Sequence, residues 1–167
     1  MSCYIASPFF NSEQLALVEK IEDTFERANA PFFSPRKIGV LKPNSGTKDR
    51  DAILKGNIDA LTGASCVLAV FDYLLPAYQS VQLSSDRQPS MPLFIPDSGV
   101  VWESAFAFAN QIPVVGFVVK APQLNVMISQ TLRGVVTSLV ELSQFAQTWN
   151  GERFHYSILK PWQGKTQ

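Results

Sequence analysis

A chain of 167 residues, 46% hydrophobic and 17% charged, has the size of one domain and is too apolar to stay unfolded. Its 14 basic residues balance 14 acidic ones and form no basic stripe, which argues against a nucleic-acid polymer as partner while leaving a small pocket ligand open. No apolar run reaches the ~18–20 residues of a membrane span. The start shows no basic leader, and Cys3 and Cys66 lie in apolar runs that suit buried thiols in a reducing compartment, so a cytoplasmic protein without a membrane partner is expected.

Residues 3–6 form a short apolar run, ended by Ser7-Pro8, that reads as a first strand. Asn11 and Gln14 have the spacing of a capping box. Leu15, Val18, Ile21, Phe25 and Ala28 then recur at steps of three and four, the pattern of an amphipathic helix. Residues 31–34 read as a second short strand, and 35–48, rich in Pro, Gly, Lys, Asn and Ser, as loop. A second helix is predicted from about 49 to 61, with Ile53, Leu54, Ile58 and Leu61 inward and Gly63 just past its end. Residues 64–71 are almost continuously apolar, as a central parallel strand covered on both faces should be.

Between 73 and 96 the period is lost among Pro76, Pro89, Pro92, Pro96 and scattered Ser and Gln. A connection of that length in a compact domain marks a lid, a binding loop or disorder. A helix over 101–110 follows, then a strand over 113–119, a short helix from Asn125, a strand over 134–137 and a last helix over 139–149. The tail from 151 has no clear assignment. There is no internal repeat and no linker, so residues 1–167 are expected to form a single domain.

This alternation predicts an α/β fold: a doubly wound, flavodoxin-like (Rossmann-like) parallel sheet of about five strands, with helices on both faces and right-handed crossovers. Ligands of such sheets sit beyond the carboxyl ends of the strands. The segments in which to seek chemistry are therefore 7–11, 34–46, 72–103 and 120–127.

Two carboxylates stand out there. Asp97-Ser98-Gly99 reads as a turn at the pocket mouth, and Glu103 is expected in the first turn of the next helix. An acid at a helix start is often no more than a partner for the dipole. Trp102, Ala105, Phe106, Phe108 and Ala109, however, make this helix almost wholly apolar and expected to be buried, and an acid at the pocket end of a buried helix needs a purpose. His155, the only histidine, lies in the tail, which leaves no basis for a His-based triad or a multi-His metal site. No Gly-rich phosphate loop is present. No metal and no cofactor is expected. Asp72, at the end of the central strand, is well placed but reads more readily as a loop acid.

Four segments in order carry a family resemblance. Tyr4-Ile5-Ala6-Ser7-Pro8-Phe9-Phe10-Asn11-Ser12-Glu13-Gln14 resembles the opening of the nucleoside 2-deoxyribosyltransferases, and Asn57-Ile58-Asp59-Ala60-Leu61-Thr62-Gly63 resembles their second-helix motif. Asp97-Ser98-Gly99-Val100-Val101-Trp102-Glu103 resembles their aspartate–glutamate segment, and Asn125-Val126-Met127-Ile128 their Asn-x-Met element. The resemblance implies transfer of 2-deoxyribose between a deoxynucleoside and a free nucleobase, with Glu103 as nucleophile on the anomeric carbon and Tyr4 orienting it. Asp59 and Asp97 would contact the base and supply or relay its proton. Asn125, with Met127 beside it, would reach the sugar of a neighbouring subunit, which implies a homo-oligomer with shared sites. Ser98 and Gly99 come with the same segment as substrate contacts.

Bland readings stand beside these. Asp59 can be a solvated helix acid, Asn125 a plain helix cap, and Phe9 and Phe10 either core or a wall against the base. The chemistry agrees with the resemblance, because a carboxylate stabilises and then traps the oxocarbenium-like state of N-glycosidic cleavage. If the helix start keeps Glu103 ionised, Asp97 is the better proton carrier. The rival functions are a nucleoside monophosphate N-glycosidase, whose anion site could draw only on Ser7, Ser34, Arg36 and Lys37, and a nucleotide-binding module without turnover.

Overall fold

The computed structural model describes residues 2–39, 46–71, 96–119 and 123–166. Asp72 and, apart from Pro96, the proline-rich stretch at 73–96 lie outside the described residues. In chain order the elements are β1 (Cys3–Ala6), α1 (Ser12–Arg27), β2 (Phe32–Phe33), a 3₁₀ turn (Pro35–Lys37), α2 (Thr47–Thr62), β3 (Cys66–Val70), α3 (Ser98–Ala109), β4 (Val114–Phe117), β5 (Gln123–Leu124), α4 (Val126–Thr131), β6 (Leu132–Val136), α5 (Leu139–Ala146) and β7 (Lys165–Thr166).

The main sheet has five strands in the order β2-β1-β3-β4-β6, all of them parallel. This is the flavodoxin-like, doubly wound arrangement that the alternation of elements predicts. The chain leaves β1 in one direction to β2 and in the other to β3, so the strand order reverses between β1 and β3. A crevice opens at such a switch point, outside the carboxyl ends of the strands.

Side chains alternate across the sheet and sort the core into two layers. Cys3, Ile5, Cys66, Leu68 and Val70 pack with Val18, Ile21 and Phe25 of α1 and Leu142 and Phe145 of α5. Tyr4, Ala6, Val67 and Ala69 face the other way, into a cluster with Leu61 of α2 and Val100 and Ala107 of α3. Cys3 and Cys66 are register partners on β1 and β3 and are both buried free thiols.

Local signals account for most element ends. The Asn11 side chain accepts from the Gln14 N–H (2.9 Å), while Gln14 Oε1 accepts from the Phe10 N–H (2.8 Å). Helix α2 starts before the expected residue 49 because Asp49 accepts from the Gly46 N–H at 3.0 Å and so closes an earlier first turn. Leu54, expected inward, is exposed. The inward stripe of α2 is instead Ile53, Asn57 and Leu61, at i, i+4 spacing. In the tail, Phe154 fills the core against Phe145, with ring centroids 5.1 Å apart. The Tyr156 hydroxyl donates to the Ser65 carbonyl at 3.1 Å.

One charged group sits deep in the α1/α5 layer. Glu22 is 2% exposed, and the Arg36 guanidinium forks onto it with Nε–Oε1 at 2.8 Å and Nη2–Oε2 at 2.5 Å. Lys37 bonds Glu26 at 2.9 Å and lies 4.5 Å from the centroid of the Phe32 ring. These contacts tie the turn after β2 to α1. A bidentate pair with one buried partner is costly to break, because the remaining Glu22 charge keeps only the longer contact to Lys37, at 3.6 Å. Arg36→Met should destabilise the fold by about 3 kcal/mol, and Glu22→Leu added to it should recover most of the loss. Urea unfolding of both variants checks this, and a single variant as stable as the parent would contradict it.

Candidate active site

The site is built on Tyr4. Its even position on β1 turns the ring into the α2/α3 layer, where it is fully buried and stacks on Phe33 with centroids 5.4 Å apart. Its hydroxyl donates to Glu103 Oε1 at 2.5 Å, a short bond of the kind a hydroxyl makes to a carboxylate. Glu103 hangs from α3 and is largely out of water.

Asp97 sets where α3 begins. Its Oδ1 accepts from the Gly99 N–H (2.9 Å) and the Val100 N–H (3.1 Å), making it the N-cap, with Ser98 and Gly99 as exposed first residues of the helix. Two expectations are corrected here. The helix starts at Ser98 and not at 101, so Glu103 falls in its second turn, beyond the reach of the helix-start field. The helix is also not buried all round: Val100, Ser104 and Ala107 face the core, whereas Trp102 and Phe108 are 48% and 56% exposed. One helix packed on one sheet can cover only one stripe.

The electrostatics follow burial and not the dipole. Desolvation pushes the Glu103 carboxyl up to about 7, the charge of Asp97 pushes the same way, and the Tyr4 hydrogen bond holds it down. The Tyr4 phenol is raised far above its ordinary value by burial and by the neighbouring Glu103 charge. The helix start therefore does not set the ionisation of Glu103, which is governed by burial and by Tyr4.

Tyr4, Glu103 and Asp97 are thus gathered in one place, with Ser98 and Gly99 next to Asp97 in the chain. Asp59 is exposed on α2 and ion-paired to Lys55 at 2.6 Å. Phe9 packs against the α1/α5 layer and stacks on Phe10 at 5.4 Å, with Phe10 itself 75% exposed. Asn125 is an exposed N-cap whose Oδ1 accepts from the Met127 N–H at 2.8 Å, and Met127 is 73% exposed.

Asn57 is a residue the sequence reading passed over. It lies one turn before Leu61, on the stripe of α2 that faces the Tyr4 cluster, and its Oδ1 is buried without a hydrogen-bond partner. Among the described residues this acceptor finds no donor, and a buried acceptor left unpaired is costly. The available signal was a polar residue inside the apolar i, i+4 stripe of Ile53 and Leu61.

The cations that an anion site would need are engaged. Arg36 and Lys37 are held by Glu22 and Glu26, Ser34 is buried, and the Ser7 hydroxyl donates to the Pro8 carbonyl at 3.2 Å. A surface groove between α1 and α5, lined by Lys20, Asp23, Arg27 and Val140, lies on the opposite layer from Glu103. The carboxyl pair, and not cavity size, locates the site. Among the described residues no His, Cys, Asp and Glu side chains gather into a metal-binding group, and no helix is long and apolar enough to cross a membrane.

A parallel doubly wound domain with a tyrosine-held, partly dry carboxyl beside its switch point defines the class: an α/β domain built for a small ligand. A family model described as nucleoside 2-deoxyribosyltransferase matches residues 3–139, and the chain belongs to that family. Its fold is similar to the solved 2-deoxyribosyltransferase from the psychrotolerant bacterium Bacillus psychrosaccharolyticus, at a TM-score of 0.71 and 21% identity over 97% of this chain and 99% of that one. It is also similar to a conserved protein from Enterococcus faecalis V583, at a TM-score of 0.53 and 16% identity over 86% of each chain. At these identities the likeness is one of fold. No curated protein sequence matches the chain.

The raised Glu103 has a consequence for stability. Between 4.5 and about 7 the folded chain keeps a proton that the unfolded chain has released, so stability falls as pH climbs through that window. The rise corresponds to about 3 kcal/mol. Glu103→Gln, which still accepts from Tyr4, should match the parent near pH 4 and be more stable by about 2–3 kcal/mol at pH 8. Thermal unfolding across pH measures this, and curves that run parallel from pH 4 to 8 would refute it.

Proposed function

We propose that this protein transfers 2-deoxyribose between nucleobases through a covalent deoxyribosyl ester on Glu103. The observation that carries the reading is the Tyr4–Glu103 hydrogen bond inside a partly dry site beside Asp97. Tyr4 fixes one carboxylate oxygen and leaves the other to face the anomeric carbon. The leaving base needs a proton as its bond to C1′ breaks, and the protonated Glu103 of the free enzyme holds one. Passing that proton to the base through Asp97 ionises Glu103, which faces the opposite side of the sugar, as positive charge develops there. The carboxylate then closes on C1′ with inversion, and the incoming base displaces it with a second inversion, so the β-configuration is kept.

Asn57, and Asp59 once freed from Lys55, are the side chains of α2 that would meet the base. Asn125 and Met127 stand too exposed to complete a pocket in one chain. Together with the bare Trp102 and Phe108 they support a homo-oligomer in which one subunit completes its neighbour's site, with Phe10 and the Ser98–Gly99 turn at the rim. The substrates would then be a deoxynucleoside and a free nucleobase, and the role a cytoplasmic one in nucleotide salvage. Hydrolysis of monophosphates is the weaker reading because Arg36 and Lys37 are already paired. A binding module without turnover gives no reason to raise a carboxyl to about 7.

Incubation with deoxyadenosine and a second base should give base exchange with parallel-line, ping-pong kinetics, whereas release of free sugar alone would favour the hydrolase. Glu103→Ala should lose nearly all transfer, Asp97→Asn should slow it by ~10²–10⁴-fold, and mass spectrometry with donor alone should place the adduct on Glu103. Ribonucleosides should be disfavoured by at least ~1–3 kcal/mol if the 2′-hydroxyl is merely crowded. Because Tyr4 holds the Glu103 value down and the protonated form is the one that starts the reaction, Tyr4→Phe should move the alkaline limb of kcat/KM to higher pH. An unmoved limb would remove Tyr4 from the mechanism.

A further inference from the structure

We infer that the C-terminal tail is a positioning strap for the Asn125–Met127 segment, with Trp162 as its anchor. The inference rests on the reading above, in which that segment meets the substrate. Helix α4 packs on α3 and Ile128 reaches the layer that holds Tyr4, while Asn125 and Met127 themselves are exposed. Helix α4 is only six residues long, too short to be stable by itself, and the strand before it, β5, is two residues. Among the described residues the strand paired with β5 is β7, in parallel, with Gln123 opposite Lys165 and Leu124 opposite Thr166. Asn125 is the next residue after that pairing.

The tail reaches this place through successive anchors. Leu159 lies so close over β6 that a Cβ on Gly134 would come within 2.6 Å of the Leu159 Cβ, so a side chain at 134 would lift the tail. One residue on, the Lys160 carbonyl accepts from the Val135 N–H at 2.9 Å, in an antiparallel bridge at the outer edge of the sheet. Trp162 then turns into the layer that holds Tyr4, against the cluster containing Leu124, Ile128 and Leu132. Gly164 folds directly onto its ring, where a Cβ would stand 2.0 Å from the nearest ring carbon. The chain can turn back to pair with β5 only because residue 164 has no side chain. Trp162 Nε1 is buried without a hydrogen-bond partner, so packing and not a polar bond holds the indole there. Burying an unpaired donor is unfavourable, and the apolar area of the ring has to offset it.

Four variants test this: a chain ending at residue 160, Gly164→Val, Trp162→Ala and Trp162→Phe. Each is first shown to be folded by circular dichroism and thermal unfolding. In the first three, KM for the deoxynucleoside should rise at least ~5-fold with kcat changed less, and amides 125–129 should exchange at least ~10-fold faster. Trp162→Phe should recover most of both, since it keeps a ring and removes the unpaired N–H. Truncation combined with Asn125→Ala should cost little more than Asn125→Ala alone, as expected of two changes acting on one contact. A lower melting temperature with KM and segment exchange unchanged would make the tail merely structural and overturn the inference. Additive losses in the double variant would do the same. If the parent chain transfers no sugar, the reading of function fails, and amide exchange at 125–129 still decides whether the tail holds the segment.

Discussion

The hydrogen bond from Tyr4 to Glu103 joins the first strand of the sheet to the helix that carries the acid, and it sits between two opposed demands. Packing α3 onto the sheet removes water and favours a neutral carboxyl, while chemistry at an electron-poor carbon requires an anion. The phenol mediates between them, because it stabilises the anion without bringing water in. A fully buried Glu103 would be locked neutral, and a solvated one would be a weak partner for developing positive charge. The value near 7 is the physical compromise, set by a dry layer on one side and one short bond on the other.

The remainder of the fold keeps that bond in register. Strand alternation separates a dry apolar layer, with α1 and α5, from the layer in which polar chemistry is concentrated. The buried Glu22–Arg36 pair belongs to the first layer and, with Glu26, holds Arg36 and Lys37 against α1. Asp97 caps α3 and adds its charge to the field at Glu103, so one residue couples the geometry of the helix to the protonation of the buried carboxyl.

The sheet was legible in the sequence because its strands are short, nearly all-apolar runs separated by amphipathic helices, a pattern that only a doubly wound arrangement satisfies. Tyr4, Asp97 and Glu103 were legible through segment order. What escaped the sequence were features set by three-dimensional contact. The start of α3 was misplaced because Asp97 reads equally as a turn residue and as a cap. Its burial was overestimated because an apolar helix looks the same whether its outer face meets the same chain or another surface. Asn57 escapes an apolar periodicity because it is a polar residue among Ile53, Ile58 and Leu61, and Leu54 beside them is exposed. The tail gave no period because its anchors, Phe154, Tyr156, Leu159 and Trp162, each use a different contact and repeat at no fixed spacing.

The brevity of β1 carries an evolutionary consequence. The strand is only four residues long, and their side chains alternate strictly between the two layers. Gaining or losing a single codon in this stretch would exchange the layers: Cys3 or Ile5 would replace Tyr4 opposite Glu103, and the phenol would be driven among the thiols and phenylalanines behind the sheet. The hydropathy of the segment would hardly change, so the lesion would be invisible to any measure of composition. Lineages descended from this sequence should therefore tolerate exchange of one apolar residue for another in β1 far better than any change in its length.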